Sequence, residues 1–157
     1  MRIVYSHDIF SFQAYGGISR YFVELAKRIP ANEAQVRIFA GLHINEYLSG
    51  TPGLIGFKLP VLKNRGVTAR IINASMYVVR KRINDWAERA LIRTDPQTVL
   101  HLSYYTYPPA RKKLKLVVTV YDMIPELFGQ YFPHQDRGAR LKRLCCDRAD
   151  KIIAIST

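Results

Sequence analysis

Two short stretches, Thr98-Val-Leu-His-Leu102 and Leu116-Val-Val-Thr-Val-Tyr121, are apolar over nearly consecutive residues rather than alternate ones. Side chains on successive strand residues point to opposite faces, so such a strand must be covered on both, as in the interior of a parallel sheet between helices. Arg2–His7, Val36–Ala40 closed by Gly41, Gly56–Pro60 and Lys151–Ser156 read as further strands. Helical periods lie between them. Ile18, Tyr21, Phe22, Leu25, Ala26 and Ile29 recur in steps of three and four until Pro30. A long helix is expected from about Thr68 to Arg93, ended by Asp95-Pro96, with a core stripe of Ile72, Met76, Val79, Ile83, Trp86 or Ala87, and Ala90. Arg80, Lys81, Asp85, Arg89 and Arg93 mostly face elsewhere on this reading. Pro133 opens another helix to about Ala149. Strands alternating with helices predict an α/β fold with a doubly wound, mostly parallel sheet, in a single domain over residues 1–157.

An apolar fraction of 48% with 11% aromatics excludes a disordered chain. Adjacent Cys145 and Cys146 fall in a predicted helix, where their side chains diverge, so they form neither a disulfide framework nor a zinc spacing. One buried and one half-buried thiol are expected. The start lacks the long apolar core of a signal peptide and no run of membrane-spanning length follows, which points to a cytoplasmic protein. The net charge of +12 favours anionic partners. It gathers in residues 58–93, in Arg111–Lys115 and in Arg137–Lys151. Each cluster, taken alone, also reads as a solvated helix face.

Ligands of doubly wound sheets bind beyond the carboxyl ends of the strands, which directs attention to residues 7–17, 41–55, 103–110 and 121–132. Gly16-Gly17 stands where the first strand feeds the first helix, so its N–H groups could approach a phosphate; the pair could equally serve a tight turn needing positive φ. Asp122 should emerge at the end of a central strand, either to accept sugar hydroxyls or act as a base, or to cap the next turn. His7 and Asp8 occupy the equivalent end of the first strand. Tyr104, Tyr105 and Tyr107 crowd the loop after the fourth, as stacking platforms for sugar or lipid or as packing anchors. The dinucleotide fingerprint G-x-G-x-x-G is absent and no acidic residue ends the second strand, which disfavours nicotinamide and flavin.

Ala14-Tyr-Gly-Gly-Ile-Ser-Arg-Tyr-Phe22, Leu100-His-Leu-Ser-Tyr-Tyr-Thr-Tyr-Pro108, Val117-Val-Thr-Val-Tyr-Asp-Met-Ile-Pro-Glu126 and Ala149-Asp-Lys-Ile-Ile-Ala-Ile-Ser156 occur in that order. Together they resemble the N-terminal half of family-4 retaining glycosyltransferases, especially bacterial enzymes of polysaccharide and lipopolysaccharide synthesis. The resemblance covers essentially the whole chain. It implies a Rossmann-like acceptor-side domain of a GT-B fold, with no metal or other cofactor and a nucleotide-sugar donor held mainly by a C-terminal domain absent here. The family's glycine loop matches Gly16 and Gly17, which implies contact with the donor pyrophosphate. Its His-Asp pair falls on Tyr121 and Asp122, the implied catalytic positions, and only the aspartate matches. His7, Asp8, Tyr104 and Tyr105 are the candidate acceptor contacts, the acceptor being a glycan or a lipid-linked sugar. With one wall of the cleft, this chain alone is expected to transfer no sugar.

The charge supports a second expectation, a non-catalytic basic module for nucleic acid or an anionic membrane. No recognised nucleic-acid motif accompanies it, which makes nucleic acid the weaker partner. A membrane role would put the protein peripherally on the inner-membrane face.

Overall fold

The structure, a computed structural model, describes residues 1–61, 67–92, 97–107, 114–131 and 136–155. Six strands form one sheet: β1 (Arg2–Tyr5), β2 (Gln35–His43), β3 (Leu54–Lys58), β4 (Thr98–Leu102), β5 (Lys115–Val120) and β6 (Lys151–Ala154). Every pairing is parallel and the spatial order is β3-β2-β1-β4-β5-β6. The chain therefore builds outward from β1 in one direction, returns, and builds outward from β4 in the other. Between β1 and β4 the crossovers part to opposite sides, and their carboxyl ends frame the crevice where such sheets bind ligands.

Helices α1 (Asp8–Phe12), α2 (Gly17–Arg28), α3 (Val67–Leu91), α4 (Ile124–Leu127) and α5 (Asp136–Arg148) complete the described elements, with a 3-10 turn at Gly129–Tyr131. Two of the loops expected from sequence thus contain short helices, α1 within 7–17 and α4 within 121–132. Each is too short to show a helical period. Strand β2 runs past Gly41 to His43 rather than stopping there, because Gly41 adopts a left-handed φ of 57° inside an irregular pairing with β3. Pro133, Arg93, Asp95-Pro96, Pro108 and Ser156, which marked expected boundaries, lie outside the described residues, as do Arg111, Lys112 and Lys113.

Successive strand residues divide between two cores. Tyr5, Ile38 and Ala40 join Ile9, Phe10, Phe22, Val23 and Leu48 on the α2 face. Val4, Phe39, Leu100, Leu102, Leu116 and Val118 join Ile92 and Cys145 on the other. Cys145 is buried and Cys146 half-buried, both as free thiols, in line with expectation. At the far edge β6 is bare, with all four of its residues exposed.

Helix α3 reverses the expected sidedness. Ile72, Met76, Val79, Ile83 and Ala90 of the expected core stripe are exposed, and of its alternatives Trp86 is exposed while Ala87 packs against the core; Arg80 and Asn84 are instead buried and Lys81, Asp85 and Glu88 partly so. The cause lies beneath the helix. It lies over α1 and the end of β2, where backbone groups of irregular structure need partners that an apolar stripe cannot give. Asn84 supplies them: its Oδ1 accepts from Leu42 N at 2.8 Å, and its Nδ2 donates to Leu42 O at 2.9 Å and to Ser11 Oγ at 2.8 Å. Arg80 Nη2 donates to Ser11 O at 2.8 Å. A β-carbon at Gly41 would sit 2.3 Å from Asn84 Oδ1, so glycine is required there for close approach as well as for its φ.

Asn84→Ala should therefore cost about 2–4 kcal/mol, because it removes three buried hydrogen bonds and leaves the Leu42 N–H unpaired and its carbonyl with only the long 3.5 Å bond from Ser11 Oγ. Urea denaturation followed by circular dichroism measures this, and a loss under about 0.5 kcal/mol, the level of an ordinary surface change, would contradict the assigned role.

Candidate active site

The crevice begins with two serines. Ser6 Oγ, one residue past β1, accepts the N–H of Ser103, one residue past β4, at 2.8 Å and donates to Asp8 Oδ2 at 3.0 Å. Ser103 Oγ accepts the N–H of Ile9 at 3.1 Å, which anchors the start of α1. Both serines are fully buried. Satisfying these backbone groups with hydroxyls lets β1 and β4 diverge here without leaving orphaned donors.

Behind Asp8 lies a charged cluster. His7 Nε2 is 3.0 Å from Asp85 Oδ1, and Lys81 Nζ is 2.9 Å from the same oxygen and 3.3 Å from Asp8 Oδ1. Glu88 Oε2 accepts the backbone N–H of His7 at 3.3 Å. Burial disfavours the His7 imidazolium, but Asp85, Asp8 and Glu88 together outweigh it and raise the pKa above the ordinary value. Asp85 is held down to about 2: burial opposes ionisation, and the bonds to His7 and Lys81 overcome it. Burial pushes Glu88 up to about 7, against the opposing pull of His7. Ligand atoms of His7, Asp8 and Asp85 lie within 4.8 Å of one another, a separation that suits a metal ion. The Lys81 ammonium, bonded to both carboxylates, already fills the place a cation would take.

In front of the cluster a cavity of about 470 Å³ opens, lined by Asp8, Phe12, Tyr77, Lys81, Arg82, Asp85 and Tyr104–Tyr107. Of the expected acceptor contacts, Asp8, Tyr104 and Tyr105 line it. His7 does not: it is 1% exposed and stands behind Asp85 as a support. Phe12, Tyr77, Lys81 and Asp85 were not anticipated. The signal for the last three was present in the polar period Tyr77, Lys81, Asn84/Asp85, Glu88, of which Lys81 and Asp85 read from the sequence as facing away from the core stripe.

A continuous row of aromatic contacts follows the carboxyl edge of the sheet. Ring centroids are 6.3 Å apart for Tyr21–Tyr121, 6.2 Å for Tyr121–Tyr105, 5.2 Å for Tyr105–Tyr104, 6.4 Å for Tyr104–Phe12 and 6.0 Å for Phe12–Tyr77. The row joins α2 to the cavity. Within it Tyr121 Oη donates to Ser103 O at 3.2 Å, and burial raises its pKa far above that of a free phenol. Tyr121 is thus a fixed neutral side chain rather than a base. Burial likewise pushes Tyr105 up to about 12, and its Oη accepts the Tyr121 N–H at 3.2 Å.

Asp122 lies beyond Tyr121 and caps the next turn, accepting Ile124 N–H at 3.2 Å. It remains 48% exposed, with Lys142 Nζ at 3.7 Å, so it faces solvent while capping. Gly16 and Gly17 sit at the N-terminus of α2. Gly16 has φ 173°, ordinary extended backbone, and positive φ among the described residues occurs only at Gly41, Gly50 and Gly53. The tight-turn reading of the pair is therefore set aside. A β-carbon at Gly17 would meet nothing within 4 Å, so the first turn of α2 opens onto free space with no side-chain cap.

The cluster makes stability depend on pH with a definite sign. Glu88 keeps its proton in the fold up to about 7 but loses it near 4.5 when unfolded, so its contribution is complete below 4.5 and fades as pH rises through 7. His7, raised above 6.5, acts in the same direction over a higher window, and the depressed Asp85 acts oppositely but only below pH 4. Glu88→Gln should flatten the fall in Tm between pH 5 and pH 8 by about 2 kcal/mol, roughly 5 °C. Thermal melts of both proteins across that range measure it, and parallel curves would contradict the assignment.

A family model described as Glycosyltransferase Family 4 matches residues 15–157. No curated protein and no solved structure matches the chain. The match includes α2, every ring of the aromatic row except Phe12, and strands β2 to β6. With a six-stranded parallel Rossmann-like sheet and a crevice at its topological switch, the chain belongs to glycosyltransferase family 4.

Proposed function

We propose that this domain forms the acceptor side of a retaining hexosyltransferase, which moves a sugar from a nucleotide donor to a glycan or lipid-linked acceptor. The observation that carries the reading is the cavity at the β1/β4 switch, which sets aromatic faces beside carboxylates and an ammonium. Sugars offer C–H faces that pack on rings and hydroxyls that bond to charged groups, and Tyr104, Phe12 and Tyr107 beside Asp8, Asp85 and Lys81 provide both. Lys81 and His7 hold Asp85 anionic, so at neutral pH it accepts hydrogen bonds from hydroxyl groups as a carboxylate.

The donor diphosphate is assigned to the open first turn of α2, where the N–H groups from Gly17 onward lack a side-chain cap and the helix dipole favours an anion. Tyr121 stands between the two regions in the aromatic row, and Asp122, the next residue, is assigned to orient a hydroxyl. A second, C-terminal domain would grip the nucleotide and sugar. Catalysis by placement of two substrates needs both walls, so the chain alone is proposed to be inactive. No metal or other cofactor enters the proposal.

A nucleic-acid module is the weaker reading. Arg80, Lys81 and Lys142 are tied to internal partners, while Arg28 pairs with Glu24 and Lys58 with Glu46, which reduces the charge offered to a phosphate backbone.

NMR titration of the chain with nucleotide sugars and oligosaccharide acceptors tests the assignment. Acceptors should move signals of Tyr104, Asp85 and Thr106, and donors, more weakly, those of Gly17 and Ile18. Tyr104→Ala should weaken acceptor binding about tenfold, the loss of one ring–sugar contact. Sugar transfer should appear only when the C-terminal half is supplied. Turnover by the chain alone, or acceptor shifts confined to residues away from the cavity, would overturn the proposal.

A further inference from the structure

Helix α3 shows solvent an apolar arc where a surface helix ordinarily shows a polar one. Ile72, Met76, Val79, Ile83 and Trp86 are between 38% and 72% exposed, and exposed Ala90 continues the series. At a rise of about 1.5 Å per residue the arc runs for roughly 27 Å, so it is far more extended than a scattered surface leucine. Its spacing carries a second property. The steps from Ile72 to Ala90 are four, three, four, three and four, so the arc reads the same from either end. Two copies of α3 laid antiparallel, with a two-fold axis level with Lys81, therefore bring every member opposite another: Ile72 opposite Ala90, Met76 opposite Trp86 and Val79 opposite Ile83. Sizes match as well. The bulky indole of Trp86 meets the flexible Met76 side chain, and Ile72 meets the smallest member, Ala90. Steps of four and three are also those of the two core positions of a coiled coil, and each of these pairs sets one kind of core position against the other.

We propose that this arc is the interface of a symmetric dimer, covered by the same arc of a second copy running antiparallel. The palindromic spacing selects this occupant. A two-fold interface uses one patch twice and so requires self-complementarity, which neither an unrelated partner nor a featureless apolar surface would call for. The apolar side chains of two copies together cover on the order of 1,000 Å², the size at which a specific interface begins. Asn84 and Arg80, bonded to Leu42 and Ser11, fix the rotation of the helix, so the arc is presented in place and little freedom is lost on pairing. One contact opposes it. Arg82 is exposed beside the arc and comes near its own counterpart close to the axis. Both guanidinium groups stay at the wet rim, where salt screens them, so they set a salt dependence rather than forbid the contact. Pairing is independent of sugar transfer and extends the proposed function without resting on it.

Sedimentation velocity of the chain from micromolar to near-millimolar concentration reads the pairing. Trp86 is the sole tryptophan, so its emission should shift to the blue over the same range in which monomer becomes dimer. Val79→Asp alone and Ile83→Lys alone should each weaken pairing at least about tenfold, since each sets a charge against an aliphatic side chain of the second copy. Both positions are exposed in the monomer, and circular dichroism should show the fold kept. Mixed in equal amounts, the two variants should associate more tightly than either alone, because the new carboxylate at position 79 of one copy then faces the new ammonium at position 83 of the other. Added salt should strengthen pairing by screening Arg82. A chain that stays monomeric at the highest concentration, variants that pair as well as the parent, a mixture no tighter than its components, or pairing that weakens with salt would each overturn the proposal.

Discussion

The structure turns on the divergence of the chain at β1 and β4. A parallel sheet has to be wound from its middle if both faces are to be covered, and the two innermost strands then end side by side with their crossovers leaving in opposite directions. Backbone groups exposed by that parting are closed by Ser6 and Ser103, each hydroxyl accepting an N–H next to the opposite strand. From this clasp follow the start of α1, the position of Asp8 and the direction in which Tyr104 leaves the sheet. The crevice is therefore part of how the sheet is made.

Helix α3 shows how a demand for hydrogen bonds can outrank apolar burial. Covering Leu42 and Ser11 with an aliphatic face would leave several backbone groups without partners, each costing on the order of 1–3 kcal/mol. Asn84 and Arg80 meet that demand, and once they face inward the rest of their period follows: Tyr77, Lys81, Asp85 and Glu88 arrive beside His7 and Asp8. One rotational setting of a helix thus assembles the floor of the crevice and leaves the aliphatic arc outside.

Much of this was legible in the sequence and some of it was not, for identifiable reasons. The near-continuous apolar runs at 98–102 and 116–121 read correctly as interior parallel strands, since a two-faced environment leaves an unmistakable composition. Periodicity also located α3. It could not say which of two opposed stripes meets the sheet, because that depends on the polar needs of Ser11 and Leu42, which no local pattern of α3 encodes. The cleft positions Asp8, Tyr104 and Tyr105 followed from topology alone, as loops past strand ends. Lys81 and Asp85 were missed because they reach the crevice from a helix far along the chain. His7 and Tyr121 were placed at the correct strand ends, but their exposure was beyond the sequence: one is sealed behind a carboxylate, the other pinned to a carbonyl.

The bare outer strand has a consequence for how the molecule must be handled. Lys151–Ala154 pairs with β5 on one side, and among the described residues its other side pairs with no strand and carries a single charged side chain to deter a newcomer. Strands of this kind template intermolecular pairing when they are flat, apolar and short of lysine or proline, and Ile152 and Ile153 supply the apolar part on both surfaces. During refolding, β5 and β6 must also find each other across more than thirty residues, and until they do each presents an open edge. Aggregation by strand addition is then the competing reaction, and dilution or a covering segment shifts the kinetics back toward the monomer.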